Sequence, residues 1–193
     1  MEEKMVRRCD WGESPNPVYM EYHDKEWCVP SHDDKYLFEL LILEGAQAGL
    51  SWSTIINKRE NYREAFDDFD YNKIAHYDEK KFEELLNNPG IVRNKLKIRS
   101  TITNAQAFLK VREEFGSFDK YIWNFVNHKP IQNNWQKSNE WPAKTELSDK
   151  ISKDLLKRGF KFVGSTIIYA YMQAIGMVND HLTYCFRHSE LKK

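Results

Sequence analysis

Cysteine is scarce in this sequence of 193 residues, and long apolar stretches are missing. Three cysteines are few and odd in number, which argues against a disulfide framework and indicates a reducing compartment. No apolar run approaches the roughly 20 residues that cross a bilayer. The N-terminal stretch MEEKMVRRCDWG also lacks the apolar core of a signal peptide. These features predict a cytoplasmic protein that does not contact a membrane.

The net charge of zero conceals an uneven distribution. Residues 21–90 hold 16 acidic and 8 basic residues, whereas residues 91–112 hold 6 basic residues and no acidic one. Residues 150–193 hold 8 basic and 3 acidic residues. A neutral total can therefore hide a basic face that follows phosphate groups. Ordinary solvated helix faces explain the same pattern, so charge alone does not identify a partner.

Apolar residues recur with helical spacing along most of the chain. Side chains able to cap a helix, such as Asp33, Ser51, Asp78 and Ser117, stand where helices would begin. The predicted helices span 33–49, 51–66, 78–88, 92–116, 117–126, 148–159 and 164–176, with a long loop over 128–147. No strand alternation, internal repeat or flexible linker is apparent in the sequence. The pattern therefore predicts one compact all-α domain over residues 1–193.

Glu44 stands out on the predicted helix that begins near Asp33. Positions 37, 40, 41, 44 and 48 share one helix face and read Leu, Leu, Leu, Glu and Ala. A buried carboxylate without a partner is costly, so such a group is paired, has a raised pKa or receives a ligand. Escape of the side chain to solvent is the alternative, since Gly45 and Gly49 lie close to the predicted helix end.

The segment KRGFKFVGSTIIY places two glycines around an apolar bend between predicted helices. Gly159 and Gly164 permit a close approach of the backbone to another molecule. Ser165 or Thr166 can cap the second helix, whose first amides form a site for an anion such as a DNA phosphate. Nearby lysine and arginine residues favour that interpretation. An ordinary packed helical hairpin is the alternative.

His181 and Cys185 are four positions apart near the end of the sequence, a spacing that puts two metal ligands on one helix face. A structural zinc site requires four ligands, drawn from cysteine and histidine. The cysteine and histidine residues near the two chain ends are Cys9, His23, Cys28, His181, Cys185 and His188. Cys9 and His23 would complete a Cys2His2 site, and the other two residues compete with them. Buried cysteines without a metal are the remaining alternative.

Eight segments spread over nearly the whole chain carry a resemblance to a known family. They read RCDW, YHDKEWCVP, LFELLILEGAQAGLSW, KRENYREAF, IVRNKLKI, FVNHKP, KRGFKFVGSTIIYAYMQA and VNDH. The chain resembles the bacterial 3-methyladenine DNA glycosylase I family, within the helix–hairpin–helix DNA glycosylase superfamily. The resemblance implies an all-α helix–hairpin–helix DNA glycosylase fold with a structural zinc ion (Zn2+).

The same resemblance implies an activity in base-excision repair. A 3-methyladenine nucleotide would be flipped out of double-stranded DNA, and its N-glycosidic bond would be hydrolysed. The products would be free 3-methyladenine and an abasic site, with no cut in the strand, so the enzyme would be monofunctional. It would act as a monomer.

The resemblance also assigns roles to matching positions of this sequence. The implied zinc ligands are Cys9, His23, His181 and Cys185, which would tie residues 1–30 to residues 179–188. Glu44 is the implied catalytic carboxylate. The implied base-binding residues are Trp11, Tyr19, Tyr22 and Trp52. The implied DNA-binding residues are Gly49 and Leu50, at a tip that probes the base stack, and Gly159, Lys161, Gly164, Ser165 and Thr166, in the helix–hairpin–helix segment 148–176.

Some features of the sequence leave questions open. Cysteine occupies position 28, where the resemblance leads us to expect glycine, and the tail 186–193 matches no family segment. Asp180 in VNDH is a rival to Glu44, because many members of the superfamily use an aspartate beyond the hairpin. Two other function classes are a zinc-containing module that binds DNA without cutting a bond, and a zinc hydrolase. A hydrolase needs an open position on the metal, and four protein ligands leave none.

Overall fold

The structure is a computed structural model that describes residues 6–192. The ends of the predicted domain, residues 1–5 and 193, lie outside the described residues. Within residues 6–192 the chain is mostly helical. The α-helices are α1 (Pro17–Lys25), α2 (Asp34–Gln47), α3 (Trp52–Ile56), α4 (Arg59–Ala65), α5 (Tyr71–Ile74), α6 (Glu79–Leu86), α7 (Lys95–Phe115), α8 (Phe118–Trp123), α9 (Glu146–Lys157), α10 (Ser165–Ala174) and α11 (Phe186–Glu190). None of these helices is long and apolar enough to cross a membrane.

Local hydrogen bonds determine where many of these helices begin. Side-chain oxygens of Asp33, Ser51, Asp78 and Ser117 accept from backbone amides of the first helical turn, as the sequence predicts. Gly116 ends α7 in the left-handed conformation, at φ +87°. These five boundaries are confirmed, and each of them depends on residues that are close in sequence.

Other boundaries differ from the prediction. The predicted helix 51–66 is two helices, α3 and α4. Helix α9 begins two residues before Ser148, because Thr145 caps it and the Thr145 amide donates to the Ser148 hydroxyl. Helices α1, α5 and α11 have no predicted counterpart. They contain nine, four and five residues, too few for a clear periodic pattern.

One pair of strands lies in the otherwise helical structure of residues 6–192. Strand β1 (Ile131–Gln132) pairs in parallel with strand β2 (Val178–Asn179). Two residues are too few for an alternating pattern, so the sequence predicts all-α structure with a loop at β1. The pairing brings the 128–147 segment beside the residues that follow α10. The chain can thereby place side chains from both segments around the same site.

Helix α2 lies at the centre of the packing. It contacts α3, α7, α8 and α10, and α10 in turn packs against α9. The Tyr171 hydroxyl of α10 donates to the Leu37 carbonyl of α2 at 2.8 Å, in the interior of the protein. The first turn of α2 therefore lies against α10. The segment that follows α1 also reaches α10, where the Cys28 amide donates to the Gln173 carbonyl at 2.9 Å.

Candidate functional site

Glu44 lies near the end of α2, on the face that the sequence predicts to be buried. Only 4% of the residue is exposed, and its Oε2 atom has no hydrogen-bond partner within residues 6–192. Burial raises the pKa of the Glu44 carboxyl from its ordinary value of 4.5 to about 8. The alternative in which this side chain escapes to solvent is therefore wrong. Burial therefore favours the neutral carboxylic acid form of Glu44 in the free protein.

A cavity of about 190 Å³ opens beside Glu44. Its walls are formed by Trp11, Tyr19, Tyr22, Trp27, Glu44, Gln47, Trp52, Trp141, Ala170 and Gln173. All four aromatic residues that the resemblance implies for base binding are among them. The sequence does not predict Trp27, Trp141 or Gln173 as wall residues. Trp27 lies in residues 8–30, a stretch that also holds Trp11, Tyr19 and Tyr22 and so could have indicated it. Nothing local distinguishes the other two.

The aromatic walls pack edge to face or at a tilt. The ring centroid of Trp11 is 5.1 Å from that of Tyr19 and 4.9 Å from that of Trp27, in both cases edge to face. The Tyr22 and Trp52 rings are 5.3 Å apart. The Tyr22 hydroxyl and Trp52 Nε1 are buried without a hydrogen-bond partner in the described part of the chain. Broad apolar faces with a few unpaired polar atoms are typical of a site for a small, flat ligand.

The turn between α2 and α3 carries the predicted DNA-probing tip. Gly49 has φ +75°, and Leu50 is 41% exposed although it is apolar. The Lys97 ammonium, in the first turn of α7, donates to the carbonyls of Ala46 (2.8 Å) and Ala48 (2.6 Å). These are carbonyls at the end of α2, where backbone acceptors lack helical partners. Lys97 therefore holds the turn, and Leu50 stays exposed on it.

The predicted hairpin connects α9 to α10 and packs against α2. A Cβ atom on Gly45 of α2 would come within 3.3 Å of the Phe162 side chain. Gly164 is the N-cap residue of α10, so neither Ser165 nor Thr166 caps this helix and the predicted cap is wrong. Because no side chain caps them, the first amides of α10 are available to an external acceptor.

The hairpin also carries an exposed cation, Lys161. Gly159 has φ +93°, which allows the chain to leave α9 in the left-handed conformation. The Lys161 amide donates to Asn104 Oδ1 (2.8 Å), and its carbonyl accepts from Asn104 Nδ2 (2.9 Å). Helix α7 thus holds the bend through the Lys161 backbone. The exposed Lys161 side chain forms no ion pair within residues 6–192.

Asp180, the rival carboxylate, is fully buried and already bonded to other side chains. Its Oδ1 accepts from Asn133 (2.7 Å) and Trp135 (2.8 Å). Its Oδ2 accepts from the Tyr169 hydroxyl and from Gln173 Nε2 (2.9 Å). Four hydrogen bonds use the acceptor capacity of a carboxylate. Asp180 is not among the wall residues of the cavity and has no spare acceptor for a ligand.

Four buried residues bring two thiols and two imidazoles together from the chain ends. One ligand atom each from Cys9, His23, His181 and Cys185 lies within 4.8 Å of the others. Cys185 Sγ is 3.4 Å from His181 Nδ1 and 3.7 Å from His23 Nε2, and Cys9 Sγ is 3.6 Å from His181 Nδ1. A tetrahedral zinc ion with ligand bonds of about 2.0–2.3 Å requires sulfur–nitrogen separations of about 3.6 Å. The donor set and its spacing therefore fit tetrahedral zinc.

The histidine nitrogens that face away from this cluster are also hydrogen-bonded. His23 Nδ1 is 2.8 Å from Asp24 Oδ1, and Arg8 Nη2 donates to Asp24 Oδ2 at 2.7 Å. His181 Nε2 is 3.1 Å from the Trp27 carbonyl oxygen. Metal-binding histidines use their second nitrogen in this way, which fixes the ring orientation and the tautomer. Buried cysteines without a metal do not require such partners on both histidines.

His181 and Cys185 lie on a turn, with Cys185 directly before α11, so the prediction of a shared helix face is wrong. The turn nevertheless brings both ligand atoms to one point. A hydrogen bond from Cys9, and further ones from both histidines, lower the pKa of Cys185. Burial lowers the pKa of His181. A thiolate and a neutral imidazole are the forms in which these residues bind a metal.

The competing ligands lie outside the cluster. The Cys28 thiol accepts from the Asp180 amide at 3.4 Å, and His188 Nε2 is 2.9 Å from the Asn133 carbonyl oxygen. Cys28 has φ +63°, in the left-handed region that glycine adopts most readily. Glycine would adopt this backbone conformation with less strain than cysteine does.

The cluster also contacts the walls of the cavity. The His23 ring centroid is 4.8 Å from that of Trp11, and the His181 ring centroid is 4.7 Å from that of Trp27. Both tryptophans line the cavity. Anything that orders the two histidines therefore also orders two of the aromatic walls.

Comparison with known proteins identifies the family. A family model for methyladenine glycosylase matches residues 11–188. DNA-3-methyladenine glycosylase 1 of Escherichia coli (strain K12) is 48% identical over 180 residues, which cover 93% of this chain and 96% of that protein. A crystal structure of 3-methyladenine DNA glycosylase I has a TM-score of 0.90 and 49% identity, covering 93% of this chain and 98% of that chain. A Tyr-to-Phe variant of 3-methyladenine DNA glycosylase I in complex with 3-methyladenine has a TM-score of 0.89 and 37% identity, covering 93% of this chain and 96% of that chain. The chain belongs to the methyladenine glycosylase family.

Proposed function

We propose that this protein is a monofunctional DNA glycosylase that hydrolyses the N-glycosidic bond of 3-methyladenine in alkylated double-stranded DNA. One observation carries the proposal: a buried carboxylic acid, Glu44, without a hydrogen-bond partner in residues 6–192, beside a cavity with aromatic walls. Family membership supports the reaction class. A relative with 37% identity has been crystallised with 3-methyladenine, the proposed product.

The cavity suits a single flipped base. Its volume of about 190 Å³ lies below the ~300–1,000 Å³ of pockets for drug-sized ligands. We assign Trp11, Tyr19, Tyr22 and Trp52 to base binding through stacking and edge contacts. Stacking of a base on an aromatic side chain is worth ~1–3 kcal/mol. A methylated, weakly paired base also costs less to unstack and extrude than a normal one.

The methylated base contributes much of the chemical activation. Methylation at N3 places positive charge on adenine and makes it a good leaving group. A cation in contact with Glu44 would favour the ionised carboxylate and offset the burial that raises its pKa. The ionised group would then stabilise positive charge on the base or the sugar, or orient the attacking water. We therefore assign the catalytic role to Glu44.

The two exposed loops would hold the DNA. We propose that Leu50 fills the gap left by the flipped nucleotide, as apolar wedges do in other proteins that distort duplexes. The uncapped amides at Gly164, Ser165 and Thr166 would bind a phosphate, with Lys161 supplying a positive charge. Helix α9, the bend at Gly159 and helix α10 would form the helix–hairpin–helix motif within residues 148–176.

The cluster of Cys9, His23, His181 and Cys185 would hold a structural zinc ion. Four protein ligands close the coordination sphere, and none of the four lines the cavity. This arrangement argues against a zinc hydrolase. The ion would restrain both chain ends and, through the two histidine rings, the walls at Trp11 and Trp27. A single domain, a monomeric state and a cytoplasmic location stay predictions.

Release of free 3-methyladenine from methylated duplex DNA tests the proposal, with chromatography to identify the base. We expect release by the parent protein and about 10²-fold slower release by Glu44→Gln, because the amide cannot stabilise positive charge. Glu113→Gln, which changes an exposed glutamate, is the matched control and should behave like the parent. Both variants should bind unmodified duplex DNA as the parent does.

Two results would contradict the proposal. Tight binding to methylated DNA without release of a base would identify a DNA-binding module rather than a glycosylase. Release by Glu44→Gln at the parent rate would show that Glu44 does not assist the reaction.

A further inference from the structure

The side chain of the wall residue Gln173 is hydrogen-bonded to a buried carboxylate that lies outside the cavity wall. Gln173 lies in the last turn of α10, three positions after the wall residue Ala170. Its Nε2 donates to Asp180 Oδ2 at 2.9 Å. We propose that Gln173, oriented by Asp180, recognises the exocyclic amine of the adenine ring and so determines which purine the cavity accepts. This inference rests on the proposed function.

Asp180 leaves the Gln173 amide only one orientation. An amide can rotate to present either its oxygen or its nitrogen, but a carboxylate accepts hydrogen bonds and donates none. Asp180 is itself fixed by Asn133, Trp135 and Tyr169, and it is completely buried. Rotation of the amide would place two oxygens against each other. The Gln173 nitrogen therefore faces Asp180, and the Gln173 oxygen faces away from it.

The Gln173 side-chain oxygen is free to accept a hydrogen bond. Oε1 accepts no hydrogen bond within residues 6–192, in contrast to the bonded Nε2. It is also not among the buried polar atoms that lack a hydrogen-bond partner, a group that includes Glu44 Oε2. An amide oxygen that is neither bonded nor sealed, on a residue that lines the cavity, is an acceptor available to a ligand there.

The cavity would offer a ligand two hydrogen-bond acceptors, Gln173 Oε1 and the Glu44 carboxylate. Together they favour a ligand that carries a hydrogen-bond donor. Adenine carries an amino group at position 6, which donates, whereas guanine carries an oxygen there, which accepts. An oxygen at position 6 would face the oxygen of Gln173 and leave it unpaired. Sites built to accept from a ligand N–H discriminate strongly against analogues that lack it. Glu44 favours a cationic base by its charge, and Gln173 favours adenine by its hydrogen bond.

Asp180 acts here as a positioning residue. It also accepts from the indole of Trp141, another wall residue, through its backbone carbonyl at 2.9 Å. An Asp180→Asn variant would offer a donor as well as an acceptor to Gln173. The Gln173 amide could then rotate, and the preference for an amino group would weaken although Gln173 itself is unchanged.

The test compares the affinities of the parent and the variants for two free bases. Binding is measured from the fluorescence of the tryptophans in the cavity walls. The bases are 3-methyladenine and 3-methylpurine, which lacks the amino group. We expect the parent to bind 3-methyladenine more tightly by at least tenfold. In Gln173→Leu this ratio should fall toward one, mainly through weaker binding of 3-methyladenine, and in Asp180→Asn it should fall partway. Gln173→Met, an unbranched replacement, serves if thermal denaturation finds the leucine variant unfolded.

Gln136→Leu is the matched control, because Gln136 is an exposed glutamine that does not line the cavity. It should keep the parent ratio between the two bases. If the ratio is unchanged in Gln173→Leu, or is lost equally in Gln136→Leu, the assignment of Gln173 is wrong. The proposed function would still stand in that case, because the parent binds 3-methyladenine. Failure of the parent protein to bind 3-methyladenine would overturn both.

Discussion

Replacing Glu44 by glutamine should stabilise the free protein, by an amount that depends on pH. The folded-state pKa of Glu44 is about 8, against 4.5 for an ordinary glutamate. Below pH 4.5 the carboxyl is protonated in both the folded and the unfolded chain, so the group does not change the free energy of unfolding. Between pH 4.5 and 8 only the unfolded chain releases the proton. The folded state is then penalised increasingly as pH rises.

The size of the effect follows from the shift. Each unit of separation between pH and the unfolded-state pKa costs about 1.4 kcal/mol until the folded group also ionises. At pH 7 the penalty is roughly 3 kcal/mol, and above pH 8 it levels off at roughly 5 kcal/mol. Glutamine has nearly the same shape but no ionisation, so the variant avoids this penalty. For a chain of this size, 3 kcal/mol corresponds to a Tm about 6–12 °C higher.

Urea unfolding of the parent and Glu44→Gln at pH 5, 6, 7 and 8 measures the effect. The difference between the two proteins is the informative quantity, because titrations elsewhere in the chain cancel. We expect it to grow by about 1.4 kcal/mol per pH unit up to pH 7, and by less between pH 7 and 8, where the folded group also begins to ionise. Glu113→Gln, at an exposed position, should give a difference that does not change with pH. A flat difference for Glu44→Gln would refute the argument, because it would mean that the carboxyl is solvated and titrates normally.

Three further predictions concern the metal, the hairpin and the α2–α3 turn. Cys185→Ala should bind no zinc and have a lower Tm, and chelation of zinc from the parent should have the same effect, as measured by elemental analysis and thermal denaturation. An unchanged Tm after verified zinc removal would contradict a structural role. Gly164→Ala should keep the parent Tm, because an added Cβ meets nothing within 4 Å, yet weaken binding to all duplexes alike. Lys161→Ala should reduce the slope of log affinity for DNA against log salt concentration by about one, whereas Lys80→Ala, in the acidic segment, should leave that slope unchanged. A loss of affinity that depends on base sequence would count against a contact with the DNA backbone. In urea unfolding, Lys97→Met should have a free energy of unfolding about 1–2 kcal/mol lower than the parent, and Lys97→Arg should lose less. Equal stability of the parent and Lys97→Met would mean that other contacts hold the turn.

Local chemistry explains the part of the structure that could be predicted from the sequence. Caps at Asp33, Ser51, Asp78 and Ser117 involve residues within three positions of each other, so a short window contains both partners. The apolar periodicity that places Glu44 on a buried face is also local. The sequence alone therefore determined that the chain is mostly helical, where several helices begin, and that one carboxyl lies on an apolar face.

Only the tertiary structure decided what surrounds that carboxyl. Whether Glu44 reaches solvent depends on aromatic residues near position 11 and on α10, which are far away in sequence. The roles of the two rival carboxylates could not be separated locally either, because the four side chains that bond Asp180 lie 7 to 47 positions away. The orientation of Gln173 follows from that network.

The metal cluster shows the same division. The sequence supplied the ligand types and the two pairs near the chain ends, but it allowed Cys28 and His188 as alternatives. Cys9 and His181 are separated by 172 positions, and the distance between them is set by how the whole chain packs. A turn, and not the helix that a spacing of four suggests, brings His181 to Cys185. Local hydrogen bonding and periodicity are readable from short windows, whereas burial, ligand geometry and the orientation of polar side chains arise only when distant segments meet.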